Sequence, residues 1–206
     1  WVCVPLGMPS TYVLFTRVLS RLFLPDFDPG WTVAIAIGMT WLTILAGIFR
    51  LEIGKWVPNL GALLKATILL VLGTGGLVFA IRHGPANDLS LRFLLPSWNA
   101  GLAFLPVVVF NFLGFELVSG AGEEMKDPRR DVPAAIMVSG GLIAFLYLFA
   151  TSGILLALPL EKISLLGGLV DTLAAVLGDS GSGRLALTLL GTALLYTLFA
   201  TLVTWT

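Results

Sequence analysis

Ionisable chemistry is scarce in this 206-residue chain, which has one histidine, one cysteine and only 12 % charged residues. The lone cysteine, Cys3, rules out an intrachain disulfide and a cysteine-based metal cluster, and in its apolar stretch it reads as a small packing residue. With His83 as the single histidine, the chain has no two-histidine zinc-protease motif, and no phosphate-binding glycine loop or nucleic-acid motif is present. Twelve basic and twelve acidic residues cancel, so there is neither a basic field for nucleic acid nor an acidic tail. No metal, cofactor or enzymatic activity is expected.

Apolar sequence is abundant. Hydrophobic residues make up 57 % of the chain, and the mean hydropathy is +0.98. This lies outside the balance of water-soluble domains and places the chain in a bilayer. A spanning helix needs about 20 mostly apolar residues, because its backbone amides find no water partners there. Six segments meet that demand: 1–24, 31–49, 58–82, 100–125, 132–160 and 185–206. The expected fold class is therefore an all-α membrane protein forming a single transmembrane domain. The chain begins at Trp1 without Met and stops in an apolar run, so both ends read as cuts.

Trp31, Trp56 and Trp98 fall at span ends, where half-apolar rings favour the interface, while Trp41 and Trp205 lie deeper. Lys65 is the one charged residue that interrupts 58–82. The run Glu123-Glu124-Met125-Lys126-Asp127-Pro128-Arg129-Arg130-Asp131 reads as a tight charged hairpin, with Asp131 as cap and Pro133 in the first turn of the next helix. Lys and Arg are shared evenly between the two sides of the membrane, so the positive-inside rule does not fix orientation. Residues 162–178 place Leu165, Leu166, Leu169, Val170, Leu173 and Val176 around Asp171, too short to span, and read as a helix over the protein's surface. His83 reads as a solvated loop residue.

The segment 100–125 differs from the other five by carrying Pro106, Gly114, Glu116, Gly120 and Gly122. A carboxylate at mid-membrane costs roughly 2.5 to 3.5 kcal/mol on insertion scales. At 1.5 Å per residue, Glu116 sits only about 4.5 Å from a centre near Leu113, too deep to reach either interface. Gly114 weakens the helix, and the Asn111 amide competes for its hydrogen bonds, so a break here is expected. Broken backbone in a membrane is tolerated where it lines a wet cavity, and the exposed helix ends can hold a zwitterion or ion. The alternative is that Glu116 hydrogen-bonds to a neighbouring helix and fixes packing, with Gly114 allowing close approach.

At Phe112-Leu113-Gly114-Phe115-Glu116 and Glu123 through Ile136 the sequence resembles the sixth-to-seventh helix junction of the amino acid-polyamine-organocation superfamily. Pro9-Ser10-Thr11-Tyr12-Val13-Leu14-Phe15 and Ile163-Ser164-Leu165-Leu166-Gly167-Gly168-Leu169 are similar to its glutamate/gamma-aminobutyrate antiporter branch. The resemblance covers family helices three to eight, without one, two, nine and ten. It implies part of a fold of two inverted five-helix repeats. Tyr12-Val13-Leu14-Phe15 and Tyr196-Thr197-Leu198-Phe199 then lie on repeat-related helices. It further implies substrate contacts at Phe110, Asn111, Phe112, Leu113, Gly114 and Trp205, proton coupling at Glu116, and Met8 at the border of the site. For Trp205 the alternative is an ordinary packing aromatic.

The function so implied is secondary active transport, by antiport or proton coupling, of an amino acid or polyamine-like amine. The protein would be a multi-pass protein of the cell membrane, plasma or inner, with the lipid bilayer, the transported molecule and protons as its partners. A sodium-coupled transporter of the same fold is a related possibility. The alternative class is a non-transporting sensor or subunit on the same fold. An intramembrane serine protease could be built on Gly178-Asp179-Ser180-Gly181, but Ser180 would need a histidine base, and His83 is the only one.

Overall fold

A computed structural model describes residues 3–23, 28–48, 56–88, 90, 95, 98–99, 101–102, 105, 127–163, 168–178 and 181–205. Six α-helices are described: α1 Cys3–Phe23, α2 Pro29–Ile48, α3 Trp56–His83, α4 Pro128–Ala157, α5 Gly168–Leu177 and α6 Gly181–Trp205. A 3-10 turn, Leu160–Lys162, follows α4. Regular structure among the described residues is wholly helical, in agreement with the all-α membrane fold class. Trp56–His83, Pro128–Ala157 and Gly181–Thr204 are long and apolar enough to cross a membrane. The chain forms two compact units, one of residues 1–86 with 149–206 and one of residues 87–148.

The larger unit is organised around α3. Its inward face repeats at helical spacing through Gly61, Ile68, Leu72, Gly73 and Gly76. Ile68 and Leu72 meet Val18 of α1, Ala150 of α4, Val170 and Leu173 of α5, and Leu194 and Leu195 of α6 in one buried cluster. A second cluster joins Tyr12, Met39 and Leu202, with Met8, Phe15 and Phe199 packed against it. Tyr12 and Phe199, from the two similar tetrapeptides, thus share one cluster. The Tyr12 hydroxyl lies 3.5 Å from Thr43 Oγ1, a polar link from α1 to α2 inside this apolar setting.

Close backbone approach explains the glycines on α3. A Cβ on Gly76 would run into the carbonyl of Gly153, and a Cβ on Gly153 would run into the Leu72 carbonyl and lie 2.7 Å from Gly73 Cα. Small residues facing one another let helices touch where lipid gives no hydrophobic drive to associate. The Gly73 side of the same contact is covered by the Phe149 ring.

The short helix α5 is anchored through one apolar face. Leu173 is 0 % exposed and belongs to the main cluster, while the Thr172 hydroxyl donates to the Gly168 carbonyl at 2.7 Å. At its polar edge Asp171 pairs with Arg21 of α1. His83 lies in the last turn of α3 and not in a loop, with its ring stacked on Phe79 at 4.5 Å between centroids. That stacking gives the ring an apolar seat that the polarity of the following residues concealed.

In the smaller unit, α4 starts at Pro128, ahead of the expected cap. The Asp127 carbonyl accepts from Arg130 N at 3.1 Å and Asp131 N at 2.8 Å. Proline is preset for the first helical position, so Asp131 falls in the first turn, where its charge favours the helix dipole. Pro133 consequently lies inside the helix. Met137, Val138, Leu142, Phe145 and Leu148 are all exposed along this part of α4, as suits a lipid-facing surface.

Two outcomes follow for stability. Gly153→Leu should lower the thermal midpoint of the intact protein in detergent, through overpacking of roughly 1 to 3 kcal/mol or more. Gly141→Ala on the same helix, where a Cβ meets nothing within 4 Å, should leave it unchanged or slightly raised. Leu173→Ala should cost about 2 to 5 kcal/mol. Asp171→Asn should cost less than about 1 kcal/mol, because Arg21 is 57 % and Asp171 20 % exposed. Equal midpoints for Leu173→Ala and Asp171→Asn would show that the ion pair, and not the apolar face, holds α5.

Candidate functional site

The residues expected to form the helix break, Phe110, Asn111, Phe112, Leu113, Gly114 and Glu116, lie outside the described residues. Trp205 is the last residue of α6, and its backbone follows directly on Thr204. Met8, expected at the border of the site, packs against the Tyr12, Met39 and Leu202 cluster. The structure brings a different set of polar groups together inside the larger unit.

Between α3 and α6 runs a groove of about 350 Å³ with Asn59 and Lys65 on one wall and Thr197, Thr201 and Thr204 on the other. The threonines are spaced i, i+4, i+7 and so share one face of α6. Each hydroxyl donates back into its own helix: Thr197 to the Leu194 carbonyl at 2.7 Å, Thr201 to the Thr197 carbonyl at 2.8 Å, and Thr204 to the Ala200 carbonyl at 2.8 Å. With the hydrogen so committed, the oxygen keeps acceptor capacity for another group. The groove's base is set by Gly61, where a Cβ would stand 2.5 Å from Ala200 Cβ.

Lys65 lies nine residues beyond Trp56, and at 1.5 Å per residue this is about 14 Å deeper along α3. With an exposed Trp56 at the interface, that depth is close to half of a hydrocarbon core about 30 Å thick. The groove therefore runs from an amide near the interface, along a row of hydroxyl acceptors, to an ammonium at a depth where polar groups are costly unless they have a task or a partner. Among the described residues no group of three or more His, Cys, Asp or Glu is placed to hold a metal ion.

Sequence reasoning noted Lys65 only as an interruption of a span. The reasoning applied to Glu116, that an ionisable residue inside a span marks a functional site, would have singled out Lys65 as well. The threonine stripe carried a weaker signal, visible only as a polar face along an otherwise apolar helix.

Comparison with known proteins places this geometry in context. A family model described as "Amino acid permease" matches residues 1–206. The chain is 33 % identical over 206 residues to the "Probable agmatine/putrescine antiporter AguD" of Lactococcus lactis, covering 100 % of this chain and 44 % of that protein. It is 24 % identical over 159 residues to the "Low-affinity putrescine importer PlaP" of Escherichia coli K12, covering 73 % of this chain and 34 % of that protein. It is also 26 % identical over 176 residues to the "D-serine/D-alanine/glycine transporter" of Escherichia coli K12, covering 79 % of this chain and 36 % of that protein. The chain thus spans less than half the length of these curated relatives. No solved structure matches it. Its apolar spanning helices make it part of an integral membrane protein, and the match along its whole length shows that the chain belongs to the amino acid permease family, within the amino acid-polyamine-organocation superfamily.

Proposed function

We propose that the protein moves an amino acid or a related small amine across a cell membrane, plasma or inner, by secondary active transport, either antiport or proton-coupled. The observation that carries this reading is the polar groove between two apolar helices, with Lys65 about 14 Å from the interface and three threonines opposite. Polar groups facing one another across open volume at that depth suit a path for a polar solute. The relatives' names add support, since they are named for polyamines and small amino acids.

Phe110, Asn111, Phe112, Leu113 and Gly114 supply, in this proposal, the substrate-contacting backbone and rings of the broken helix. Trp205 adds a further substrate contact, and Glu116 carries the proton. Lys65 biases the choice of substrate. A carboxylate-bearing amino acid gains from a nearby ammonium, whereas a dicationic amine is disfavoured beside one. Carboxylate and polyamine substrates can therefore be told apart by experiment on this protein.

The test is uptake into liposomes by the intact protein of labelled agmatine, putrescine, glutamate, gamma-aminobutyrate and neutral amino acids, with and without a pH gradient. At least one panel member should be taken up saturably, with a pH dependence that Glu116→Gln removes. Lys65→Met should lower uptake of carboxylate substrates roughly tenfold, the equivalent of about 1.4 kcal/mol. Absence of uptake of every panel member by folded protein would refute the transport reading.

A further inference from the structure

A second cavity, of about 250 Å³, lies at the other end of α3, between that helix and α5. Its floor is Val71, Gly75 and Val78 of α3 with Val176 of α5, and its rim is Arg82 and His83. We propose that this groove holds one anionic phospholipid of the bilayer, its phosphate on the Arg82 and His83 rim and an acyl chain along the floor. The inference is independent of what the protein transports.

Depth is the first reason. Arg82 is the penultimate residue of the spanning helix α3 and so stands at headgroup level. Val71 lies eleven residues earlier, about 16 Å along the axis, close to the hydrocarbon depth of one leaflet. A groove that is charged at its mouth and apolar for one leaflet below has the length and polarity of a phospholipid.

Charge is the second. Among the described residues the lining carries a guanidinium and an imidazole and no carboxylate. The acid within α5, Asp171, is outside the lining and engaged with Arg21. Arginine's fork of donors matches phosphate oxygens. The imidazole is seated rather than swinging, because its ring stacks on Phe79 and Nδ1 lies 3.3 Å from the Phe79 carbonyl oxygen.

The floor, finally, disfavours a small soluble anion. Its one hydroxyl, on Thr74, already donates to the Leu70 carbonyl at 2.7 Å, so nothing below the rim offers a donor to an anion. The space exists because Gly75 has no side chain, and Val176 would stand 2.5 Å from a Cβ there.

The experiment is native mass spectrometry of the intact protein, released from mixed micelles of phosphatidylglycerol and phosphatidylcholine with identical acyl chains. The wild type should retain phosphatidylglycerol in preference to phosphatidylcholine, and Arg82→Gln should reduce that preference roughly fivefold. Arg17→Gln, an exposed arginine of α1 outside the groove, should leave it unchanged. Val78→Trp, at a position already 47 % exposed and so tolerant of bulk, should reduce retention of both lipids by filling the floor. Equal retention of the two lipids by the wild type would overturn the proposal. So would an equal loss in Arg17→Gln and Arg82→Gln, which would mean diffuse surface attraction. Retention of no lipid would overturn it too, in favour of a segment of the intact protein occupying the groove.

Discussion

Inside a bilayer an apolar side chain gains little by leaving lipid for a neighbouring helix, so spans associate where backbones come close enough for dense contact. Here that condition falls on α3. Its Gly76 faces Gly153 of α4 and its Gly61 faces Ala200 of α6, and neither approach leaves room for a Cβ. Between these two contacts Ile68 and Leu72 are almost fully enclosed by residues of α1, α4, α5 and α6. The α3–α6 groove begins beside the Gly61 contact, and the α3–α5 groove runs alongside the Gly76 contact, from Val71 to His83. Tight backbone contact and adjoining open space are two results of the same distribution of small residues along one helix.

The polar content of the larger unit follows the same economy. Hydroxyls of Thr40, Thr67, Thr74, Thr188 and Thr192 donate to carbonyls four residues earlier in their own helices, so threonine can lie in lipid without an unmet donor. The threonines of the α3–α6 groove likewise donate within their own helix, three or four residues back, but they face a lysine across open volume. Local satisfaction thus accounts for a threonine being allowed in a span, and the company of Lys65 accounts for three of them being useful there.

The helical membrane class was legible because hydropathy depends on composition, which needs no partner to be read. The contacts were not legible. The chain has 23 glycines, and nothing in the sequence distinguishes Gly153, pressed against the Leu72 carbonyl, from Gly141, with nothing within 4 Å. The start of α4 moved from Asp131 to Pro128 because proline at the first helical position competed with aspartate as a cap, and both signals occur within four residues. His83 looked like a loop residue because the chain turns polar there, yet Phe79 one turn earlier gives its ring a surface to stack on. For the site, Lys65 was visible as a charge in a span, but its meeting with Thr197, Thr201 and Thr204 depends on two helices, Trp56–His83 and Gly181–Trp205, far apart in the chain.

Whether the α3–α6 groove is a wet path or only a gap between spans decides the central claim. The most direct measurement is the reaction of a single introduced cysteine with a charged, water-soluble methanethiosulfonate, in intact protein otherwise free of cysteine and held in a bilayer. Thr201→Cys, in the groove wall, should react readily, while Leu189→Cys, on the same helix at a position 63 % exposed but outside the groove, should stay unmodified in lipid. Equal inertness of the two positions would mean that water does not enter beside Lys65, and it would contradict a transport path between α3 and α6.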